Sequence, residues 1–235
     1  MSVLPQVTQL RGKVLDFLFP KWCVGCGREG DFICSACGSS ISRIVPPLCP
    51  KCGIPQPDGI LCSTCIGRQM AVDGIRSPFR FEGVIRQAVH QLKYQNLRAI
   101  AEPLAALLAE YFADNPVPMA VLVPVPLHPK RLRERGYNQS ELLAKELSRL
   151  TNLSVVSDCL VREKQTPPQA RTATLEERRN NVTGAFACLD RRLQGRQVLL
   201  IDDVATSGAT LDACAVALKA KGASSVWGLT LAREI

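Results

Sequence analysis

Apolar positions change their period along the chain, and the change divides it. Near the N-terminus Val7, Leu10, Val14, Phe17 and Leu18 share one helical face. From there to about residue 70 no apolar period holds, and Cys, Gly and Pro dominate. Beyond it, apolar runs alternate with helical stretches. "GIRSPFRFEG" (74–83) predicts a short strand or hairpin. Ile85, Ala88, Val89 and Leu92 mark a helix, and Leu104, Leu107, Leu108, Tyr111 and Phe112 a second one. "MAVLVPV" (119–125) reads as a buried strand ended by the turn-forming "PVPLHP". Asn138, with Glu141 three residues later, predicts a capping box for the helix "SELLAKELSRL". A weak strand near Val155–Val156 leads into the polar stretch 162–181. Then come "GAFACL" (184–189), the apolar strand opening "VLLIDDVATSGAT" (198–210), and a helix through Ala213, Val216, Ala217 and Leu218. That helix stops at Gly222, placed as a C′ glycine, and "SSVWGLTLA" (224–232) closes the chain as a strand.

Strands alternating with helices across short connections predict an α/β domain with a mostly parallel sheet. The composition shift sets two domains, 1–70 and 71–235. In such sheets ligands bind beyond the carboxyl ends of the strands, where Asp202 and Asp203 stand. The polar stretch is long for a passive connection and is a candidate active-site lid. No apolar run reaches the ~18 residues of a membrane span. Arg11, Lys13 and Asp16 interrupt what would be a signal-peptide core, so the expected location is the cytoplasm.

Cysteine changes the picture more than charge does. Eight of the 11 cysteines form C-x-x-C pairs: Cys23/Cys26, Cys34/Cys37, Cys49/Cys52 and Cys62/Cys65. Three pairs are followed by glycine, which lets backbone N–H groups turn toward thiolates; two facing turns make a tetrahedral S₄ site. Seven residues separate the first two pairs and nine the last two, suiting short hairpins and sequential pairing, with interleaved pairing also compatible. Two structural Zn²⁺ ions are expected, in preference to disulfides, an iron–sulfur cluster or a redox dithiol. Cys159, Cys188 and Cys214 sit singly in apolar segments as inert core thiols. The formal charge of +8 invites a nucleic-acid partner. Eight thiolates holding two Zn²⁺ bring it to about +4, so clustering matters more than the total.

Two carboxylates at a strand end, followed by Ala205, Thr206, Ser207, Gly208, Ala209 and Thr210 and then a helix, combine two chemistries. The small residues form an anion-binding nest at a helix N-terminus, with three hydroxyl donors. The carboxylates accept hydrogen bonds from a vicinal diol or from water on Mg²⁺. A phosphorylated sugar satisfies both. The loop lacks the Walker lysine, and the chain lacks a dinucleotide-binding glycine pattern.

"VLLIDDVATSGAT" resembles the phosphoribosyl-pyrophosphate (PRPP) motif of type I phosphoribosyltransferases. The resemblance implies that Asp202 and Asp203 are the catalytic acids on the ribose hydroxyls and that 205–210 bind the 5′-phosphate. "LKY" (92–94), "PVPLHPKRLRERGYNQS" (124–140), "RRNNVTGAF" (178–186) and the cysteine module together resemble the ComF/GntX family, over nearly the whole chain. That implies a type I phosphoribosyltransferase fold, a mostly parallel twisted sheet flanked by helices, behind a double zinc ribbon. It implies a pyrophosphate loop at Val125, Pro126, Leu127, His128, Lys130 and Arg131, and a flexible lid near 163–182 carrying Arg171, Arg178 and Arg179. It also implies a Mg²⁺ cofactor and a role in DNA uptake, with competence-machinery proteins as candidate partners.

Two functions follow. One is a PRPP-binding protein that handles incoming single-stranded DNA, with Arg133, Arg135 and Tyr137 beside the pyrophosphate loop as candidate contacts. The other is a metabolic phosphoribosyltransferase acting on an unidentified acceptor. It would displace pyrophosphate at the ribose C1, with Mg²⁺, Lys130 and Arg131 taking up the leaving charge.

Overall fold

The computed structural model describes residues 20–116, 121–164 and 184–235. The N-terminal apolar face and Arg171, Arg178 and Arg179 lie outside the described residues, as does nearly all of the polar stretch. In chain order the elements are α1 (Ser35–Ser39), β1 (Gly74–Arg76), β2 (Phe79–Arg80), α2 (Gly83–Tyr94), a 3₁₀ turn (Arg98–Ile100), α3 (Ala101–Asp114) and β3 (Val121–Pro124). There follow α4 (Pro129–Arg135), α5 (Gln139–Thr151), β4 (Ser154–Val155), β5 (Leu160–Arg162), β6 (Phe186–Cys188), β7 (Gln197–Ala205), α6 (Ala209–Ala220) and β8 (Ser225–Arg233).

The main sheet runs β1-β8-β7-β3-β4, with β2 also on β8, and each of its pairings is parallel. β7 lies at its centre because "VLLI" is apolar at every position, as burial on both faces demands. Strand parity sends Val198 and Leu200 into one core and Leu199 and Ile201 into the other. The buried stripes of α2, α3 and α5 cover the second core; α6 covers the first. The expected parallel sheet between helices is thus present.

Three expectations change. Residues 74–83 form no hairpin: β1 and β2 are successive pieces of one edge strand along β8, Gly74 opposite Trp227 and Phe79 opposite Ala232. "GAFACL" does not join the main sheet but pairs antiparallel with β5, Leu160 opposite Cys188 and Arg162 opposite Phe186. Asn138 does cap α5, but its side chain accepts from Ser140 N, while Glu141 pairs with Lys145 at 2.7 Å instead of closing the box. The Gly222 stop holds, with φ at +92° beyond the end of α6. Cys159, Cys188 and Cys214 are buried, and burial pushes the Cys159 thiol up to about 12, as fits inert core thiols.

The cysteine module is stitched to the sheet's edge. Ile75 N donates to Lys51 O at 2.7 Å, and Ile44 N to Pro78 O at 2.7 Å. Gly53 needs its missing side chain: its φ is +74°, and a Cβ would stand 2.3 Å from the Ile75 carbonyl oxygen. Cys49, Cys52, Cys62 and Cys65 belong to the same core as Ile75 and Leu200. Among the described residues no helix is long and apolar enough to cross a membrane.

Candidate functional site

Asp202 and Asp203 occupy the carboxyl end of β7, on the floor of a cleft of about 1430 Å³. Neighbouring strand residues face opposite ways, so the two acids have different partners. Asp203 is 3% exposed and meets the ammonium of Lys93, from the last turn of α2. Burial opposes the Lys93 charge, yet Asp203, with Asp202 beyond it, raises its pKa above the usual lysine value. Asp202 accepts from Ser140 Oγ at 2.8 Å and from Asp203 N at 2.9 Å. Burial first, then the Asp203 charge, push its carboxyl from 3.8 up to about 7. The two acids are therefore set differently: Asp203 is held by the Lys93 ammonium, and Asp202 titrates near neutrality.

The stretch 137–140 builds the support. Asn138 Nδ2 donates to Val125 O at 3.0 Å, which ties the start of α5 to the loop after β3. Val125 N in turn donates to Ile201 O at 2.9 Å, beside the acids. Of the expected pyrophosphate loop, Val125 to His128 are indeed non-helical, and Val125, Pro126 and Leu127 line the cleft. Lys130 and Arg131 are instead in α4. His128 is its N-cap, with Nδ1 accepting from Lys130 N at 3.2 Å, and Pro129 opens its first turn. Arg131, Glu134 and Arg135 share the face that lines the cleft, while Lys130 and Arg133 are exposed and are not among the lining residues.

The residues expected to form a phosphate nest join β7 to α6. Ala205 ends β7, Thr206 to Gly208 turn, and Ala209 opens α6. Gly208 has φ +76°, and a Cβ there would meet Ile75 Cδ1 at 2.6 Å, so the turn is specified by glycine. Ser207 Oγ accepts from Ala209 N at 3.4 Å. Thr206 and Thr210 line the cleft together with both acids. A ligand carrying hydroxyls beside an anion could contact both groups at once.

Two partners of the acids, Lys93 and Ser140, lie within the family-like stretches 92–94 and 124–140, which by themselves give neither residue a role. Lys93 also interrupts the helical pattern as a lysine beside the buried Leu92. Tyr137 departs from the expected nucleic-acid contacts. It is 7% exposed, its hydroxyl donates to Leu92 O, and Arg98 lies 4.5 Å from its ring centroid. No ring face is left for a base. Arg133 and Arg135 remain on the surface of α4.

The paired cysteines gather sequentially. Cys23, Cys26, Cys34 and Cys37 form one group and Cys49, Cys52, Cys62 and Cys65 another, each with its sulfurs within 4.8 Å of one another. A tetrahedral zinc with arms of ~2.3 Å has edges of about 3.8 Å. Cys26 and Cys34 Sγ are 3.7 Å apart, and Cys52 and Cys62 Sγ 3.6 Å, so the donors fit. Cys34 N donates to Cys23 Sγ at 3.4 Å, and Cys62 N to Cys49 Sγ at 3.5 Å. Burial raises the Cys23 and Cys49 thiols, but backbone N–H groups outweigh it and bring both down to about 6. The two sites differ in setting: Cys26 is exposed, whereas all four cysteines of the second group are buried.

Residues 14–66 match the model of the double zinc ribbon domain. The DNA utilization protein YhgH of Escherichia coli K12 is 31% identical over 210 residues, covering 86% of this chain and 91% of that protein. Competence protein ComFC of Bacillus subtilis 168 is 30% identical over 213 residues, covering 86% and 84%. Competence protein F of Haemophilus influenzae is 31% identical over 211 residues, covering 85% and 90%. Among solved structures, the purine phosphoribosyltransferase of Pyrococcus horikoshii Ot3 is similar over 56% of this chain and 71% of that one, with 18% identity and a TM-score of 0.33.

Proposed function

The chain belongs to the ComF/GntX family, and from that premise we propose that it binds PRPP with Mg²⁺ in this cleft and acts in DNA uptake, handling incoming single-stranded DNA. One observation carries the ligand: Asp202, Asp203, Thr206 and Thr210 line the same cleft. The 205–210 turn takes the 5′-phosphate on its backbone N–H groups and hydroxyls. Asp202 and Asp203 accept from the ribose hydroxyls. Val125, Pro126, Leu127 and Arg131 face the pyrophosphate, with Arg171, Arg178 and Arg179 as the residues that close over it. Mg²⁺ would supply neutralising charge for the pyrophosphate, with Asp202 and Asp203 accepting hydrogen bonds from its waters. The DNA role rests on the names of the relatives, one for DNA utilization and two for competence.

Asp202 makes this reading pH-dependent. Its folded pKa, about 7, lies above the ordinary 3.8. Ionising it therefore costs stability as pH rises between about 4 and 7, and the same ionisation creates the acceptor that a cation or diol needs. PRPP affinity measured with Mg²⁺ should rise by up to about tenfold per pH unit toward pH 7 and level off above it. Asp202→Asn should flatten the profile. An affinity that falls across that range would contradict the assignment.

The alternative is a metabolic phosphoribosyltransferase with an unidentified acceptor, favoured by a cleft volume of about 1430 Å³ that leaves room beside the sugar. Purified protein incubated with PRPP, Mg²⁺ and cell extract separates the readings: pyrophosphate release with a ribosylated product supports the enzyme. For DNA handling, replacing Lys130, Arg131, Arg133 and Arg135 by Ala should weaken single-strand binding and flatten its salt dependence by up to about 0.7 per lost phosphate contact. An unchanged slope would remove α4 from the DNA path.

A further inference from the structure

Helix α2 buries Ile85, Ala88, Val89 and Leu92 and turns Arg86, His90 and Tyr94 to the cleft. The three are spaced by four residues, so they form one column along the helix. Tyr94 is 69% exposed at the cleft, an unusual place for a large ring. It is held there rather than left loose. The His90 ring lies 5.0 Å away, tilted by 47°. Arg135 reaches over from α4, 5.7 Å from the ring centroid, and itself donates to Gln139. The result is a positioned π surface set among Arg86, Arg131 and Arg135.

On the reading that the protein handles single-stranded DNA, we propose that Tyr94 is the stacking platform for a nucleobase of that strand, with Arg86, Arg131 and Arg135 meeting the phosphates on either side. A phosphosugar has no π face to stack. A duplex hides its base faces, and a free base has no phosphates for the surrounding cations. A single strand presents both, which is the combination of aromatic platform and basic groove that such chains need. Tyr137, buried against Leu92, cannot take this part; Tyr94 can.

Fluorescence anisotropy with an oligothymidylate and an abasic oligomer of the same length tests the platform. Wild-type protein should prefer the base-bearing strand. Tyr94→Ala should weaken that strand roughly tenfold while leaving abasic binding, the salt slope and PRPP affinity as they were. Tyr94→Phe should keep wild-type affinity, because the ring and not the hydroxyl stacks. Equal wild-type affinity for the two oligomers, or a Tyr94→Ala protein indistinguishable from wild type, overturns the platform and leaves phosphate-driven strand binding standing. Displacement of the oligomer by free thymidine at comparable concentration overturns the strand in favour of a small-molecule acceptor. Wild-type protein that binds neither oligomer overturns platform and DNA handling together, whatever PRPP binding shows.

Discussion

Cys52→Ser should cost the protein its whole fold, whereas Cys26→Ser should cost it one metal ion. The four cysteines of the second site are between 0% and 5% exposed and share a core with Ile75 and Leu200. β1, the edge strand of the main sheet, donates a hydrogen bond from Ile75 N to Lys51 O, between Cys49 and Cys52. A structural Cys₄ zinc contributes on the order of 10 kcal/mol to folding, comparable with the whole net stability of a domain. Losing it from inside the shared core leaves little. The first site faces solvent at Cys26 and packs on the second core through Val24, Phe32 and Ile33, which are only partly buried. Metal analysis with calorimetry checks both. Wild type should carry two zinc ions per chain by the four-ligand rule. The Cys26→Ser protein should keep about one zinc and the main unfolding transition. Cys52→Ser protein that retains a native main transition would show that ribbon and sheet fold independently.

The second large effect falls on the acids. Asn at 202 and 203 keeps the size of each side chain and removes its charge. A charge-assisted hydrogen bond is worth roughly 1.5–3 kcal/mol, so each change should lower PRPP affinity at least about tenfold, and the two together more. The single variants should differ in stability. Asp203→Asn strands the Lys93 ammonium, whose charge burial already opposes. It should destabilise the protein, and Lys93→Met in the same chain should restore part of the loss. Asp202→Asn removes the acid whose burial has cost stability by pH 7, and should leave the protein more stable there than the wild type. Calorimetric unfolding of the three proteins reads the difference; equal melting temperatures would mean that Lys93 does not depend on Asp203.

What could be read ahead of the structure was local. The run "VLLI" into two acids and a Thr-Ser-Gly turn states strand, strand end and helix start within thirteen residues, each step in the identity of neighbouring residues. The cysteine spacing likewise encodes both zinc sites, because the chelating loops are short. What could not be read was carried by distance along the chain or by competition between partners. Lys93 and Asp203 are 110 positions apart, and nothing near Lys93 names its carboxylate. Glu141 had two partners within reach, the cap and Lys145, and the sequence does not rank them. The family resemblance put Lys130 and Arg131 in a loop, yet His128 caps "PKRLRER" and Pro129 suits a first turn, so it forms α4. Tyr94 and Tyr137 are alike as letters. Only the packing of α2 against the start of α5 decides that Tyr137 is buried and Tyr94 faces the cleft.

The central claim is that this cleft holds PRPP through Asp202, Asp203 and the 205–210 turn. Titration calorimetry of the zinc-loaded protein with PRPP and Mg²⁺, at about pH 8 where Asp202 is ionised, tests it most directly. The account predicts saturable binding at one site per chain, weakened without Mg²⁺ and lost by at least about tenfold in the folded Asp202→Asn protein. No binding by the wild type at millimolar PRPP, or an affinity untouched by that substitution, would contradict it.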